Sequence, residues 1–212
     1  MRIRYAALAL LATVTLAVPA QATIISVDLS GAVSGTFIDG IGADFAGIFA
    51  GQSIVGGTGI SGSPTGPLTL LSANDLLVAF WNPGVSPASN SILPQPGNQG
   101  PLSVLLDSNA DSITWTMGSA QPPSSVTIAF FDASGGLVAS VVQPLSSSYN
   151  VYSFSGLGTF RGFTIYDDND PAGLRYQNFE YNAVGGAVPE PGTLALLGLG
   201  LGALGVRRRK SN

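Results

Sequence analysis

Residues 112–117 read Ser-Ile-Thr-Trp-Thr-Met, and this short stretch is the strongest indication of the fold in the chain. Ile113, Trp115 and Met117 occupy every second position, and the residues between them carry hydroxyl groups. Because successive side chains of a β-strand point to opposite faces, the pattern predicts a strand with one apolar and one polar face. Such a strand is typical of an antiparallel sheet that covers a core on one side.

The chain after this strand repeats the β pattern. Residues 125–132 and 137–143 are rich in β-branched and aromatic side chains, and residues 133–136, Ala-Ser-Gly-Gly, predict a hairpin turn between them. Residues 149–154 and 161–167 flank another glycine-bearing segment, which predicts a second turn. The second half of the chain therefore reads as consecutive antiparallel strands.

A closing strand is predicted over residues 174–183. Strict alternation along it places Tyr176 on the opposite face from Phe179. Most large aromatic side chains on alternating strands belong to the core. The core is expected to contain Trp115, Phe163, Phe179 and Tyr181.

The first half of the chain is less regular. Residues 23–29 alternate as a strand does, and residues 76–81 form a continuous apolar run that predicts a buried strand. Residues 35–66 are glycine-rich and predict loops with short strands, and residues 82–100 are proline-rich and predict an extended loop. Together these segments predict one all-β domain over residues 23–187, a β-sandwich whose strand pattern is similar to jelly-roll domains of the galactose-binding type.

The first 22 residues have the three parts of a secretion signal. Arg2 and Arg4 precede an apolar run over residues 5–18, and residues 20–22, Ala-Gln-Ala, fit the small-x-small rule for cleavage by signal peptidase. The run is too short to span about 30 Å of hydrocarbon comfortably. Residues 1–22 therefore predict a signal peptide and an exported protein.

Residues 188–212 combine a Pro-Glu-Pro motif, an uncharged glycine-laced run over residues 193–206 and a basic end. A run of that length is short for a spanning helix, which usually needs about 17–25 residues. We expect a short hydrophobic helix that holds the precursor in the membrane, with the basic end in the cytoplasm. The residues expected to be recognised in this tail are Pro189, Glu190, Pro191, Arg207, Arg208 and Arg209.

The three parts of this tail, in that order, resemble the PEP-CTERM sorting signal of Gram-negative bacteria that make extracellular polysaccharide. The resemblance covers residues 188–210. It implies recognition, and cleavage near the Pro-Glu-Pro, by an exosortase-type enzyme of the membrane. It also implies a precursor tethered to the inner membrane and a final location in the cell envelope, on the outer surface or in the extracellular matrix.

The composition of residues 23–187 excludes several classes of function. Eleven acidic side chains face two arginines, a net charge of −9, which repels phosphate backbones and excludes nucleic-acid binding by this body. The chain has no histidine and no cysteine, which removes the commonest general base, the usual zinc ligands and any Cys-His or Ser-His nucleophile. Glu180 is the one glutamate of the body, and no carboxylate pair for glycoside hydrolysis is evident. We therefore expect no enzyme activity and no cofactor, with calcium left open.

Oxygen ligands are densest in residues 167–170, where Asp167, Asp168, Asn169 and Asp170 are consecutive. Calcium takes six to eight oxygen ligands, and a tight acidic loop between strands can supply several of them. The alternative is a solvated turn in which Asp and Asn serve turn geometry. The sequence leaves both interpretations open.

A second candidate site lies next to this loop. Tyr166, Arg175 and Tyr176 flank the acidic segment, and aromatic faces suit the stacking of sugar rings. The predicted function is structural or adhesive, within an exopolysaccharide matrix or biofilm. A calcium-assisted carbohydrate-binding module is the alternative, and an extracellular hydrolase is a third candidate.

Overall fold

The computed structural model describes residues 22–81, 89–95, 99–119, 124–146, 148–167 and 174–184. These residues form strands, bridges and turns without a helix, so no helix among them is long and apolar enough to cross a membrane. The signal peptide, the tail helix and the boundary at residue 187 lie outside the described residues and remain predictions. The strands are β1 (Thr23–Ser26), β2 (Phe37–Asp39), β3 (Ala43–Ala46), β4 (Ile48–Phe49), β5 (Ser53–Val55), β6 (Gly59–Ser61), β7 (Leu70–Leu71), β8 (Leu76–Trp81), β9 (Ser89–Pro94), β10 (Leu102–Ser119), β11 (Ser124–Phe131), β12 (Leu137–Leu145), β13 (Asn150–Tyr166) and β14 (Leu174–Ala183).

One large antiparallel sheet organises the described chain. Its strands run in the order β12-β11-β13-β10-β14-β9-β8, while β1 pairs with β14, β3 pairs with β10 and β2 pairs with β3. Strands β10 and β13 pair with each other along most of their length. These two long strands therefore connect the two halves of the sheet.

Strand β13 bends sharply, so that both of its halves pack against Trp115. The Trp115 ring stacks on Phe154, at a centroid distance of 4.7 Å, and on Phe163, at 5.1 Å. A fully extended strand would separate those two phenylalanines by about 30 Å, since each residue advances about 3.3 Å. Gly156 and Gly158 lie between them with φ values of 70° and 104°, which favour glycine and allow the bend.

The bend divides the sheet into two packed layers. In layer one, residues 102–106 of β10 lie between β3 and the second half of β13, followed by β11 and β12. In layer two, residues 110–119 of β10 lie between the first half of β13 and β14, followed by β9 and β8. The predicted all-β sandwich is confirmed. The four predicted core aromatics, Trp115, Phe163, Phe179 and Tyr181, are each at most 2% exposed.

Of three local predictions, one is confirmed and two differ from the structure. The hairpin of β11 and β12 is confirmed, with Gly135 at φ 85° in its turn. The second predicted turn is wrong as a hairpin, because residues 150–154 and 161–166 belong to one bent strand whose halves both pair with β10. The predicted loop over residues 82–100 contains strand β9, whose one proline is its last residue, so its other N–H groups remain available for pairing.

The predicted face of Tyr176 is also wrong. Between Thr114 and Thr116, strand β10 advances two residues while β14 advances three, which is a β-bulge. Asn178 lies in this interval with φ 56°, a conformation that asparagine tolerates better than most residues. The extra residue reverses the alternation, so Tyr176 lies in the core with Phe179 and is 1% exposed.

Candidate functional site

The residues predicted to bind sugar do not form an exposed aromatic platform. Tyr166 ends β13 next to Thr127 of β11, and Arg175 is the second residue of β14, next to Gly118 of β10. Both side chains are half-buried. Tyr176 is in the core, so in this conformation its ring cannot stack on a ligand.

The predicted calcium residues are described in part. Asp167 follows β13 and is 4% exposed. The remaining three, Asp168, Asn169 and Asp170, lie outside the described residues, as do the tail residues Pro189, Glu190, Pro191, Arg207, Arg208 and Arg209. Within the described ranges, no group of three or more acidic side chains is arranged to hold a metal ion.

Three carboxylates lie near one another at the β2–β3 turn, two from the turn itself and one from strand β10. Asp39 pairs with Asp44 across the two strands, and Asp107 accepts a hydrogen bond from the Gly42 N–H at 3.2 Å. Partial burial raises the pKa of Asp44, and its hydrogen bond with Asp39 and the charges of Asp39 and Asp107 raise it further. Sequence patterns do not indicate this cluster, because Asp107 is distant in the chain and only strand pairing brings it to the turn.

The outer face of layer one is covered by the chain itself. Residues 47–71 pack over its β10, β13 and β11 strands, where a second small core forms from Phe49, Leu68, Ala129 and Phe131. Ser140 and Val142 of β12 remain exposed. Beneath the cover, the Ser103 and Thr164 hydroxyl oxygens lie 2.8 Å apart. The Gln52 side-chain oxygen accepts hydrogen bonds from the Thr164 hydroxyl at 3.3 Å and from the Phe49 N–H at 2.9 Å. We call this surface the covered face.

The outer face of layer two carries two rows of mostly polar side chains across β13, β10, β14 and β1. The residues are exposed or half-buried. Three strand spacings make each row about 14 Å long. We call this surface the open face, and its rows are Ser153, Thr114, Glu180 and Ser26, and Ser155, Ser112, Asn182 and Ile24.

Hydrogen bonds hold the two larger polar side chains of the open face. The Ser26 hydroxyl donates to Glu180 Oε2 at 3.2 Å, and the Asn182 amide donates to Asp111 Oδ1 at 2.9 Å. The Ser112 hydroxyl donates to the same Asp111 oxygen at 3.0 Å. These contacts fix where the face presents its carboxylate and amide groups.

A shallow cavity of about 120 Å³ opens in this face between β1, β10 and β14. Its walls include Thr114, Glu180 and Asn182, with Ile24 supplying an apolar rim that is 68% exposed. The alternation of residues 112–117 predicted the outward direction of Thr114. No local pattern indicates the site, because register across four strands brings these residues together.

The tail of the chain has a defined identity. Residues 187–210 are a PEP-CTERM protein-sorting motif. The predicted tail resemblance, at residues 188–210, is thereby confirmed. The motif indicates an exported protein that is processed through its tail by an exosortase.

The body shows weak similarity to solved carbohydrate-binding modules. A family 29 module shares 15% identity, over 50% of this chain and 75% of that chain, with a TM-score of 0.33. A mannohexaose complex of a family 29 module shares 13% identity, over 76% of this chain and 92% of that chain, with a TM-score of 0.33. A Streptococcus pneumoniae fucose-binding module shares 11% identity, over 44% of this chain and 70% of that chain, with a TM-score of 0.34. TM-scores of this size establish neither a common topology nor a common ligand. No curated protein matches the chain significantly.

Proposed function

We propose that the protein is a structural, adhesive component of an extracellular polysaccharide matrix, exported and then released or anchored by processing at its tail. One observation carries the proposal. A PEP-CTERM motif follows a β-sandwich that leaves one outer face open and polar. A delivery signal attached to a binding surface supports a role outside the cell.

The chemistry of the body supports binding rather than catalysis. The open face offers hydroxyl groups, one amide and the Glu180 carboxylate, and the chain has no histidine or cysteine to act as base or nucleophile. Asp111, the nearest acid along the face, already accepts hydrogen bonds from Asn182 and Ser112. We therefore assign no catalytic residue.

Cell fractionation tests the proposal. We expect the exported protein to sediment with the polysaccharide matrix and to be released when that polysaccharide is degraded enzymatically. Mass spectrometry of the recovered protein is expected to show a chain that has lost residues 207–210. A variant with Pro189, Glu190 and Pro191 changed to alanine should keep residues 207–210 and remain with the membrane. Export into the medium with no matrix retention would refute the adhesive role, and an intact basic end on the recovered wild type would refute tail processing.

Calcium-assisted carbohydrate binding is the second candidate. Its support is the buried position of Asp167 directly after β13, as the first residue of the acidic stretch 167–170, with Tyr166 beside it. The double variant Asp168→Asn and Asp170→Asn should abolish a calcium-dependent component of matrix retention. Asp75→Asn, an exposed acid elsewhere, is the matched control. Retention that is the same in calcium and in chelator would reject this candidate.

A further inference from the structure

We infer that the open face binds a neutral polysaccharide, with the sugar chain lying across strands β13, β10, β14 and β1. The inference deepens the proposed function and rests on it. Residues 47–71 cover strands β10, β13 and β11 on the covered face, whereas the open face presents its polar rows to solvent together with a cavity. An extended ligand can therefore cross four consecutive strands on the open face, whereas residues 47–71 block that path on the covered face.

The polar groups of the face suit sugar hydroxyls. Serine and threonine hydroxyls both donate and accept hydrogen bonds, a carboxylate accepts, and an amide does both. Glu180 and Asn182 are already oriented by Ser26 and Asp111, so little side-chain entropy is lost when a ligand binds. The face therefore offers a fixed set of partners to a chain of hydroxyl-bearing rings.

Charge selects the class of polysaccharide. The two rows contain no arginine or lysine, and Glu180 and the adjacent Asp111 are both acidic. The surrounding body carries a net charge of −9. Uronate and sulfate polymers are repelled by such a surface, whereas a neutral polymer is not.

The cavity adds an apolar contact. Sugar rings have apolar C–H faces as well as hydroxyl rims, and the exposed Ile24 side chain borders the cavity beside Thr114 and Glu180. Burial of apolar surface favours binding. A ring seated there would cover Ile24 while its hydroxyls reach the rows.

The test compares variants of the protein recovered from the cell exterior. Binding to a soluble neutral glucan, a soluble neutral mannan and alginate is measured by affinity electrophoresis. Ser153→Arg and Ser155→Arg each place a bulky side chain on an exposed position of the open face, and Ser140→Arg does the same on β12 in layer one. We expect the wild type to bind at least one neutral polymer and not alginate. Both open-face variants should bind at least tenfold more weakly, and Ser140→Arg should bind as the wild type does.

A second variant tests the hydrogen-bonding chemistry. Glu180→Ala removes a charged acceptor from the row and should weaken binding about tenfold, because hydrogen bonds to charged groups are the stronger ones. Thermal unfolding of each variant verifies that it remains folded, and two separate arginine positions protect the test against misfolding of one. Binding to none of the neutral polymers would overturn the inference, as would stronger binding to alginate or unchanged binding by all open-face variants.

The outcomes separate this inference from the proposed function. Variants that bind normally and are still retained in the matrix would reject the open face and keep the adhesive role. Wild-type protein that binds a neutral polymer in vitro, yet is never retained by the cells' own matrix, would reject the adhesive role and keep the face as a binding surface.

Discussion

The covered face and the open face are built from the same two strands with the same kind of residue. Ser103 of β10 pairs with Thr164 of β13 on the covered face, and Thr114 pairs with Ser153 of the same strands on the open face. The first pair is fully buried, while Thr114 is half-buried and Ser153 is exposed. The difference comes from residues 47–71, which lie over one face and leave the other uncovered.

Burial changes what a hydroxyl group must do. Under the cover, the hydroxyls of Ser103 and Thr164 bond to each other and to Gln52, because an unsatisfied buried polar group costs about 1–3 kcal/mol. On the open face, water can satisfy the same groups, and a ligand can replace that water. Polar residues thus stabilise the fold on one face and remain available for binding on the other.

The largest expected difference between the faces concerns their apolar side chains. Phe49 is fully buried and packs edge-on against Phe131 at a centroid distance of 6.0 Å. Phe49→Ala should lower the free energy of unfolding by about 3–5 kcal/mol in a urea titration. Ile24→Ala on the open face should change it by less than about 1 kcal/mol, because that side chain is 68% exposed. Equal losses would show that residues 47–71 do not act as a cover.

A glycine sets how closely the cover approaches the sheet. A Cβ atom on Gly162 would lie 2.8 Å from the Phe49 ring and 2.8 Å from the Val104 carbonyl oxygen. Gly162→Ala should therefore cost about 1–3 kcal/mol through overpacking. Gly31→Ala, where nothing lies within 4 Å of the added atom, should change stability by less than about 0.5 kcal/mol. Chemical denaturation of both variants tests this, and a neutral Gly162→Ala would mean that Phe49 has room to move.

The hydroxyl groups themselves provide a matched pair of substitutions. Thr164→Val leaves Ser103 and Gln52 with one partner fewer in a buried site, and should cost about 1–2 kcal/mol. Thr114→Val removes a hydroxyl that water can solvate, and should cost less than about 0.5 kcal/mol. Thermal unfolding under identical conditions compares the two. A larger loss for Thr114→Val would contradict the assignment of the faces.

The sequence predicted those features of the fold that depend on residues adjacent in the chain. The alternation of residues 112–117 identified the inward Trp115, and the glycines of residues 133–136 identified a hairpin. The same kind of alternation over residues 174–183 predicted the wrong face for Tyr176, because the extra residue at the bulge of Asn178 shifts the in-out pattern by one position. Local patterns do not report such a shift.

The cover and the open face depend on long-range order instead. Residues 47–71 are glycine-rich and carry no periodicity that indicates which surface they will cover. The open face joins Ser26, Thr114, Ser153 and Glu180, whose positions in the chain are far apart. Strand order and register bring them together, and local patterns in one sequence do not reveal either.

The smallest expected effect lies at the margin of the covered face, where Asp44 neighbours Leu105 across β3 and β10. The raised pKa of Asp44 means that the folded protein keeps this proton over a pH range in which the unfolded chain has lost it. The free energy of unfolding should therefore fall as the pH rises from the ordinary carboxyl pKa through the raised value. Asp28 acts in the opposite direction, because hydrogen bonds from Ser30 lower its pKa and its contribution is lost as the pH falls.

Asp44→Asn isolates this contribution. At pH 7 the variant should be more stable than the wild type, by at most about 1 kcal/mol because the group is largely solvated. The difference should vanish near pH 3, where Asp44 is protonated in both states. Asp28→Asn is the matched variant and should lower stability at pH 7, since it loses a carboxylate that accepts the Ser30 N–H at 2.8 Å. Melting temperatures measured from pH 3 to pH 7 distinguish the two. A wild type whose stability relative to Asp44→Asn rises with pH would show that Asp39 and Asp107 do not repel this carboxylate.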